Sequence, residues 1–212
     1  MKKIILSALF FLLPAAVLAD NYKFSPDGLK EINVVLDGGK VNIGAFAAEE
    51  ISVKILPPSK DGLGRIVNTD DGKLSILLDD SAVNENAFVD IKLPKGNSTV
   101  YINSKKAEIS ASGINGFLSI EANSGSANID KLNGDLYLSV IETKIKANGI
   151  FKSLDIENEN ADIEITLNNL PPGLHYYDVH GSGNIIFRLG KTVKKEKLKV
   201  GRSEFNGNLR IE

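Results

Sequence analysis

The residue types best suited to acid–base chemistry are concentrated in one acidic segment of the sequence. This segment contains Asp155, Glu157, Glu159, Asp162 and Glu164. Paired carboxyl groups can act as the acid and base of a glycoside hydrolase. A polysaccharide lyase would also need basic residues nearby, whereas Lys144, Lys146 and Lys152 are better explained by charge pairing with this segment. We therefore predict that the protein is not an enzyme.

A second candidate site is a short cluster of histidines and tyrosines. The cluster consists of His175, Tyr176, Tyr177 and His180. Strand alternation would place Leu174 and Tyr176 inward, so that His175 and Tyr177 face outward. Exposed aromatic residues can form a platform for carbohydrate, which makes His175 and Tyr177 candidate ligand contacts. The two histidines are five positions apart and therefore lie on opposite faces of a strand, so no metal site is predicted here.

A third candidate is a lysine-rich segment near the end of the sequence. Its cationic residues are Lys191, Lys194, Lys195, Lys197, Lys199 and Arg202. They are candidate contacts for an anionic glycan, a lipid headgroup or a lipopolysaccharide phosphate. Alternatively, they belong to a solvated loop or to an edge strand that lysines protect from pairing with other chains. Charge reversal at Lys194 and Lys195 would separate the two interpretations.

The composition excludes several other kinds of site. The 212-residue chain has no cysteine, which excludes a thiolate nucleophile, an iron–sulfur cluster and a cysteine-ligated zinc. Its two histidines are too few for an all-histidine metal site, and no cofactor is predicted. The formal net charge of −2 gives no indication of nucleic-acid binding. The 42% apolar content is sufficient for a packed core.

Residues 1–19 have the pattern of a secretory signal peptide. Lys2 and Lys3 precede an apolar run over residues 4–13, and Val17-Leu18-Ala19 resembles a cleavage site. The alternative is an N-terminal membrane anchor, but the apolar run is short for a span of about 20 residues. Cleavage would leave residues 20–212, which we predict to form a single domain without a transmembrane segment.

The elements that would position the candidate residues are short strands that recur at a constant spacing between residues 89 and 165. Equivalent positions form columns of small and aliphatic residues. One column is Ile91, Ile109, Ala127, Ile145 and Ile163, the next is Leu93, Ala111, Ile129, Ala147 and Ile165, and a third is Gly96, Ile114, Leu132 and Ile150. Alternation of apolar and polar residues within each repeat indicates strands, and Asn-Gly and Ser-Gly pairs between them indicate tight corners.

Two architectures are consistent with short alternating strands. Antiparallel hairpins would form a meander, sandwich or barrel, whereas a parallel β-solenoid would stack each repeat on the previous one. A constant 18-residue register is expected only for stacked coils. We therefore predict an all-β, single-stranded parallel β-solenoid with coils of about 18 residues and irregular terminal caps. After a two-residue insertion near Pro171 and Pro172, the columns would resume at Leu174 and Tyr176.

Three runs of the sequence resemble a known family of bacterial domains. They are Ser112-Gly113-Ile114-Asn115-Gly116, Asn123-Ser124-Gly125-Ser126-Ala127-Asn128-Ile129 and Gly181-Ser182-Gly183-Asn184-Ile185. This Ser-Gly-x-hydrophobic pattern is similar to that of DUF4097-type and auto-transporter-adhesin-head (GIN) domains. The resemblance covers about residues 30–211 and implies an exported, cysteine-poor β-solenoid without established catalytic residues. Residues 191–202 are more basic and less repetitive than the pattern.

Together these features predict an exported interaction protein of the cell envelope. It would bind a glycan, an envelope component or another protein through its outer faces, without catalysis. The location would be periplasmic, outer-membrane-associated or extracellular. An alternative is a periplasmic carrier of lipid or lipopolysaccharide, which requires a hollow β-roll. Alternating alanine and isoleucine columns favour a filled interior instead, and a carbohydrate-active enzyme is the third possibility.

Overall fold

A computed structural model describes residues 19–57, 64–79 and 86–212, and these residues are almost entirely β-strand. The strands are β1 Asp20–Phe24, β2 Glu31–Leu36, β3 Lys40–Phe46, β4 Ile51–Leu56, β5 Arg65–Asp70, β6 Lys73–Leu78, β7 Phe88–Pro94, β8 Asn97–Ser112, β9 Asn115–Ile141, β10 Thr143–Leu167, β11 His175–Leu189, β12 Leu198–Gly201 and β13 Asn208–Ile211. One 3-10 turn covers Lys195–Lys197. Within these described ranges, no helix is long and apolar enough to cross a membrane.

The long strands β8 to β11 follow the turns of a parallel β-solenoid. Strand β8 pairs with β9 in parallel at the constant step of the sequence repeat, from Asn97 on Asn115 to Ser112 on Asp130. Strand β10 then pairs with β9 in parallel, with Leu154 on Leu136. This geometry confirms the predicted fold class.

The interior of the solenoid is filled by the predicted columns. Ile109, Ala127 and Ile145 stack in successive coils, and none of them is more than 4% exposed. In the adjacent column the order of large and small side chains is reversed, because Ala111, Ile129 and Ala147 stack there. Large and small side chains therefore alternate between neighbouring columns, and the buried residues form one continuous hydrophobic cluster.

Glycine allows neighbouring coils to approach closely at the corners. Gly125 has a φ of 109°, and a Cβ built on it would lie 2.2 Å from the carbonyl oxygen of Ala107. A Cβ on Gly149 would similarly lie 2.1 Å from the carbonyl oxygen of Leu132. These distances are far below van der Waals contact, so the corners need glycine to maintain the strand spacing of about 4.8 Å.

The N-terminal coils do not follow the order of the sequence. Strands β2 and β3 form one coil, which lies between the coil of β6 and β7 and the coil of β8. Antiparallel strands β4 and β1 extend one side beyond β7, and β5 extends the other side beyond β6. The predicted irregular cap is therefore present, as a mixed sheet rather than as further coils.

The position of the β2–β3 coil, between β7 and β8, changes the start of the predicted repeat. Ile91 was expected directly beside Ile109, but Val41 of β3 pairs with both Val89 and Ile109. Ile91 instead pairs with Ile43 and belongs to the column of Ala111. The prediction that regular stacking begins at residue 89 is therefore wrong, and the regular pairing between successive repeats begins at Asn97.

The regular step is also interrupted near residue 150. A register shift between Ala147 and Gly149 brings Gly149 beside Leu132, so the column predicted to contain Ile150 is displaced. Phe151 is fully buried, whereas Ile150 is only half-buried. The bulge shifts β10 by one residue relative to β9. Because adjacent strand residues point to opposite faces, Phe151 rather than Ile150 points into the core.

Candidate binding surfaces

The lysine-rich segment forms the surface of the last coil, which we call the basic end. Its six residues are Lys191, Lys194, Lys195, Lys197, Lys199 and Arg202, and all six are exposed. Strand β12 lies at the end of the sheet and pairs with β11 on one side. The basic end therefore includes an edge strand of the solenoid, which was the alternative to ligand contacts in the sequence interpretation.

Two lysines of the basic end make specific contacts within the last coil. The Lys195 ammonium donates a hydrogen bond to the carbonyl oxygen of Ile211 in β13, at 3.1 Å. The Lys199 ammonium lies 5.6 Å from the ring centroid of Tyr176. In the described part of the chain, none of the ion pairs involves the six cations of the basic end. Their charge is therefore available to an anion.

Charge is distributed unevenly along the solenoid axis. Residues 188–212 contain eight cationic and three acidic residues, a net charge of +5. Residues 20–187 contain 15 cationic and 24 acidic residues, a net charge of −9. The nearly neutral average therefore conceals a positive end on an acidic body. An anionic surface would therefore attract the positive end and repel the acidic body, which favours contact through this end.

The outward orientation predicted for His175 and Tyr177 is wrong. Tyr177 is fully buried, and its hydroxyl donates a 2.8 Å hydrogen bond to the carbonyl oxygen of Phe151. His175 is 9% exposed, and its Nε2 lies 2.7 Å from the carbonyl oxygen of Pro171. Burial raises the pKa of the Tyr177 phenol. Both side chains belong to the core and cannot form a surface platform.

The error came from the length of the insertion before β11. Ile156 pairs with Val179, whereas the predicted two-residue insertion would have placed Tyr176 beside it. Leu174 and Tyr176, which were expected inside, are therefore 46% and 61% exposed. Tyr176 is the exposed aromatic of this cluster, and it lies beside the lysines of the basic end.

The acidic segment faces outward, as alternation predicts, but its expected partners are different. Asp155 and Glu157 are exposed, and Glu164 accepts a 2.7 Å hydrogen bond from Nε of Arg188. Within the described residues, no ion pair joins the segment to Lys144, Lys146 or Lys152, so the predicted lysine pairing is wrong. No group of His, Asp and Glu residues suited to a metal ion occurs among the residues described.

A further feature, which the sequence did not reveal, is a shallow groove on the outside of β10, β11 and β13. We call it the outer groove, and its volume is about 410 Å³. Two adjacent outward columns form its surface. The first contains Lys144, Asp162, Asn184 and Asn208, and the second contains Lys146, Glu164, Ile186 and Arg210. The column positions follow from pairing between distant strands, which local alternation cannot specify.

A ladder of hydrogen bonds runs along the first column of the outer groove. The Asn184 amide donates to a carboxylate oxygen of Asp162 at 2.8 Å. The Asn208 amide donates in turn to the Asn184 side-chain oxygen at 3.0 Å. Because one rung occurs per coil, the polar groups repeat at the strand spacing of about 4.8 Å.

One comparison with a solved structure supports the fold. No family model matches the chain, and no curated protein matches it either. A putative adhesin from Bacteroides fragilis has 15% identity and a TM-score of 0.52, with 92% of this chain and 97% of that chain covered. A putative cell adhesion protein from Clostridium sporogenes has 12% identity and a TM-score of 0.47, covering 92% and 99%. A putative lipid binding protein from Parabacteroides distasonis has 14% identity, a TM-score of 0.34 and coverage of 92% and 96%. At this identity, the similarity to the Bacteroides fragilis protein establishes a shared fold.

Proposed function

We propose that this protein is exported and acts in the cell envelope as a non-catalytic, adhesin-like interaction protein. Its ligand would be a glycan, another envelope component or a protein, bound on the outside of the solenoid. The observation that carries this proposal is the filled interior, because a packed core leaves only outer surfaces for binding. The shared fold with the Bacteroides fragilis putative adhesin supports the same role.

The filled interior argues against the carrier alternative. A lipid carrier needs an apolar cavity that can hold acyl chains. Here the central positions are occupied by stacked side chains such as Ile129, Leu138 and Ile156, each fully buried. The outer groove lies on the outer face of the sheet and contains charged residues at both ends. An acyl chain could therefore enter the interior only if the packed coils separated.

The basic end is our candidate contact surface for anionic groups of the envelope. Lys194 and Lys197 are exposed, lie in and beside the 3-10 turn, and make no ion pair in the described ranges. Tyr176 adds an exposed aromatic ring next to Lys199. Cations around an aromatic ring are suited to sugars that carry phosphate or carboxylate groups.

The experiment compares the purified protein with a Lys194→Glu/Lys197→Glu variant. Sedimentation with phosphatidylglycerol vesicles measures binding to an anionic lipid surface. We expect the variant to lose most of the binding, and binding of the unchanged protein to weaken as salt rises. Lys152→Glu is the matched control, because Lys152 is exposed but lies outside the basic end.

Three further measurements test the other parts of the proposal. Cell fractionation should recover the protein outside the cytoplasm, and organic extraction of the purified protein should yield no stoichiometric lipid. Cytoplasmic recovery, or one bound lipid per chain, would contradict the proposal. Incubation with polygalacturonate should release no shortened products, and their appearance would instead support an enzyme.

A further inference from the structure

The outer groove has exposed cations at both of its ends. Lys144 and Lys146 lie at one end, one coil before Asp162 and Glu164, and Arg210 lies in the last strand at the other end. All three cations are exposed, and none of them takes part in an ion pair among the residues described. An anionic ligand spanning the groove would therefore meet positive charge at each end.

The acidic residues of the groove are already occupied by partners within the protein. Arg188 bridges two carboxylates, since its Nε donates to Glu164 and its Nη1 donates to Glu212, both at 2.7 Å. These two carboxylates raise the pKa of the Arg188 guanidinium. Asp162 accepts the amide hydrogen bond from Asn184. The carboxylates therefore hold neighbouring side chains in place, while the terminal cations remain accessible.

The middle of the groove combines an apolar floor with a polar wall. Ile186 is half-buried and lies between Glu164 and Arg210 in its column. Asn184 and Asn208 are exposed in the adjacent column and provide amide groups once per coil. A sugar ring has an apolar face and a rim of hydroxyl groups, which matches this division.

We propose that the outer groove binds a linear glycan whose sugars carry carboxylate groups, laid along the solenoid axis across β10, β11 and β13. Lys146 and Arg210 contact carboxylates at the two ends, and Arg210 can do so with two parallel hydrogen bonds. Ile186 contacts the apolar face of a sugar, and the asparagine amides contact its hydroxyl groups. This inference rests on the proposed function and names a ligand class for it.

The test is isothermal titration of the purified protein with tetragalacturonate. We expect Lys146→Gln and Arg210→Gln each to weaken binding about tenfold, because each removes one charge-assisted contact. The fully methyl-esterified tetramer should bind at least about tenfold more weakly to the unchanged protein, since it has lost its carboxylate charges. Lys152→Gln, in β10 but outside the groove, should bind as the unchanged protein does.

Four results would overturn the inference. Three are equal affinity for the methyl ester, no measurable binding of the charged tetramer, and a loss of affinity in Lys152→Gln as large as that in Lys146→Gln. The fourth is loss of binding only in Lys194→Glu/Lys197→Glu, which would mean that the groove is not the site and would leave the proposed function intact. Far-ultraviolet circular dichroism of each variant should match the unchanged protein, because all the substituted groove side chains are exposed.

Discussion

The buried hydroxyl of Tyr177 offers a sharp test of the coil register. The substitution Tyr177→Phe removes a hydroxyl that is fully buried and donates to the Phe151 carbonyl at 2.8 Å. The variant loses this hydrogen bond and leaves a buried acceptor without its donor, so we expect a loss of about 2 kcal/mol in the free energy of unfolding. With a urea dependence of about 2 kcal/mol/M, the unfolding midpoint should fall by about 1 M.

Tyr176→Phe is the matched control for this prediction. Tyr176 is 61% exposed, and a phenylalanine ring retains its contact with Lys199. We therefore expect a change within about 0.5 kcal/mol. Urea unfolding followed by circular dichroism measures both variants. The reasoning fails if Tyr176→Phe destabilises the protein more than Tyr177→Phe does, because this order is expected from the register in which Tyr176 points inward.

The remaining predictions concern alkaline stability and coil spacing. Burial raises the pKa of Tyr177, so the folded state disfavours the phenolate, and stability should fall as pH rises above the ordinary tyrosine value of 10.0. Tyr177→Phe should reduce this decline in urea titrations, and an identical decline would exclude Tyr177 as its source. Gly149→Ala places a Cβ 2.1 Å from the Leu132 carbonyl oxygen, so we expect a loss of at least about 2 kcal/mol in urea unfolding. An unchanged midpoint would show that the coils are not in contact at this corner.

The core columns could be predicted from sequence because stacking repeats a local pattern. In residues 97–130, the constant step places Ile109 beside Ala127 and Ala111 beside Ile129, as the alternation required. The register after the insertion could not be read from Leu174 and Tyr176 alone, since both possible sets of alternating residues contain apolar side chains. Asp178 was a usable signal, because the predicted register would have pointed it inward in place of Val179.

The order of the N-terminal coils and the outer groove depend on contacts between distant segments. Val41 and Val89 both fit the column of Ile109, so local pattern does not determine which of the two is adjacent. The groove likewise brings Lys146 and Arg210 onto one face through pairing that spans three strands. Sequence alternation predicted that such residues face outward, but it could not predict that they share a surface.

Ligands should bind on the outside of this filled solenoid, and methyl and amide chemical-shift mapping tests this most directly. Isotope-labelled protein is titrated with tetragalacturonate and, separately, with a long-chain fatty acid. We expect tetragalacturonate to shift amide signals of outer residues such as Lys146, Asn184 and Arg210, while methyl signals of Ile129 and Ile156 remain unchanged with both ligands. Shifts of these core methyl groups, with direct contacts to the fatty acid, would contradict binding on the outside, because they would show an interior that opens to hold a ligand.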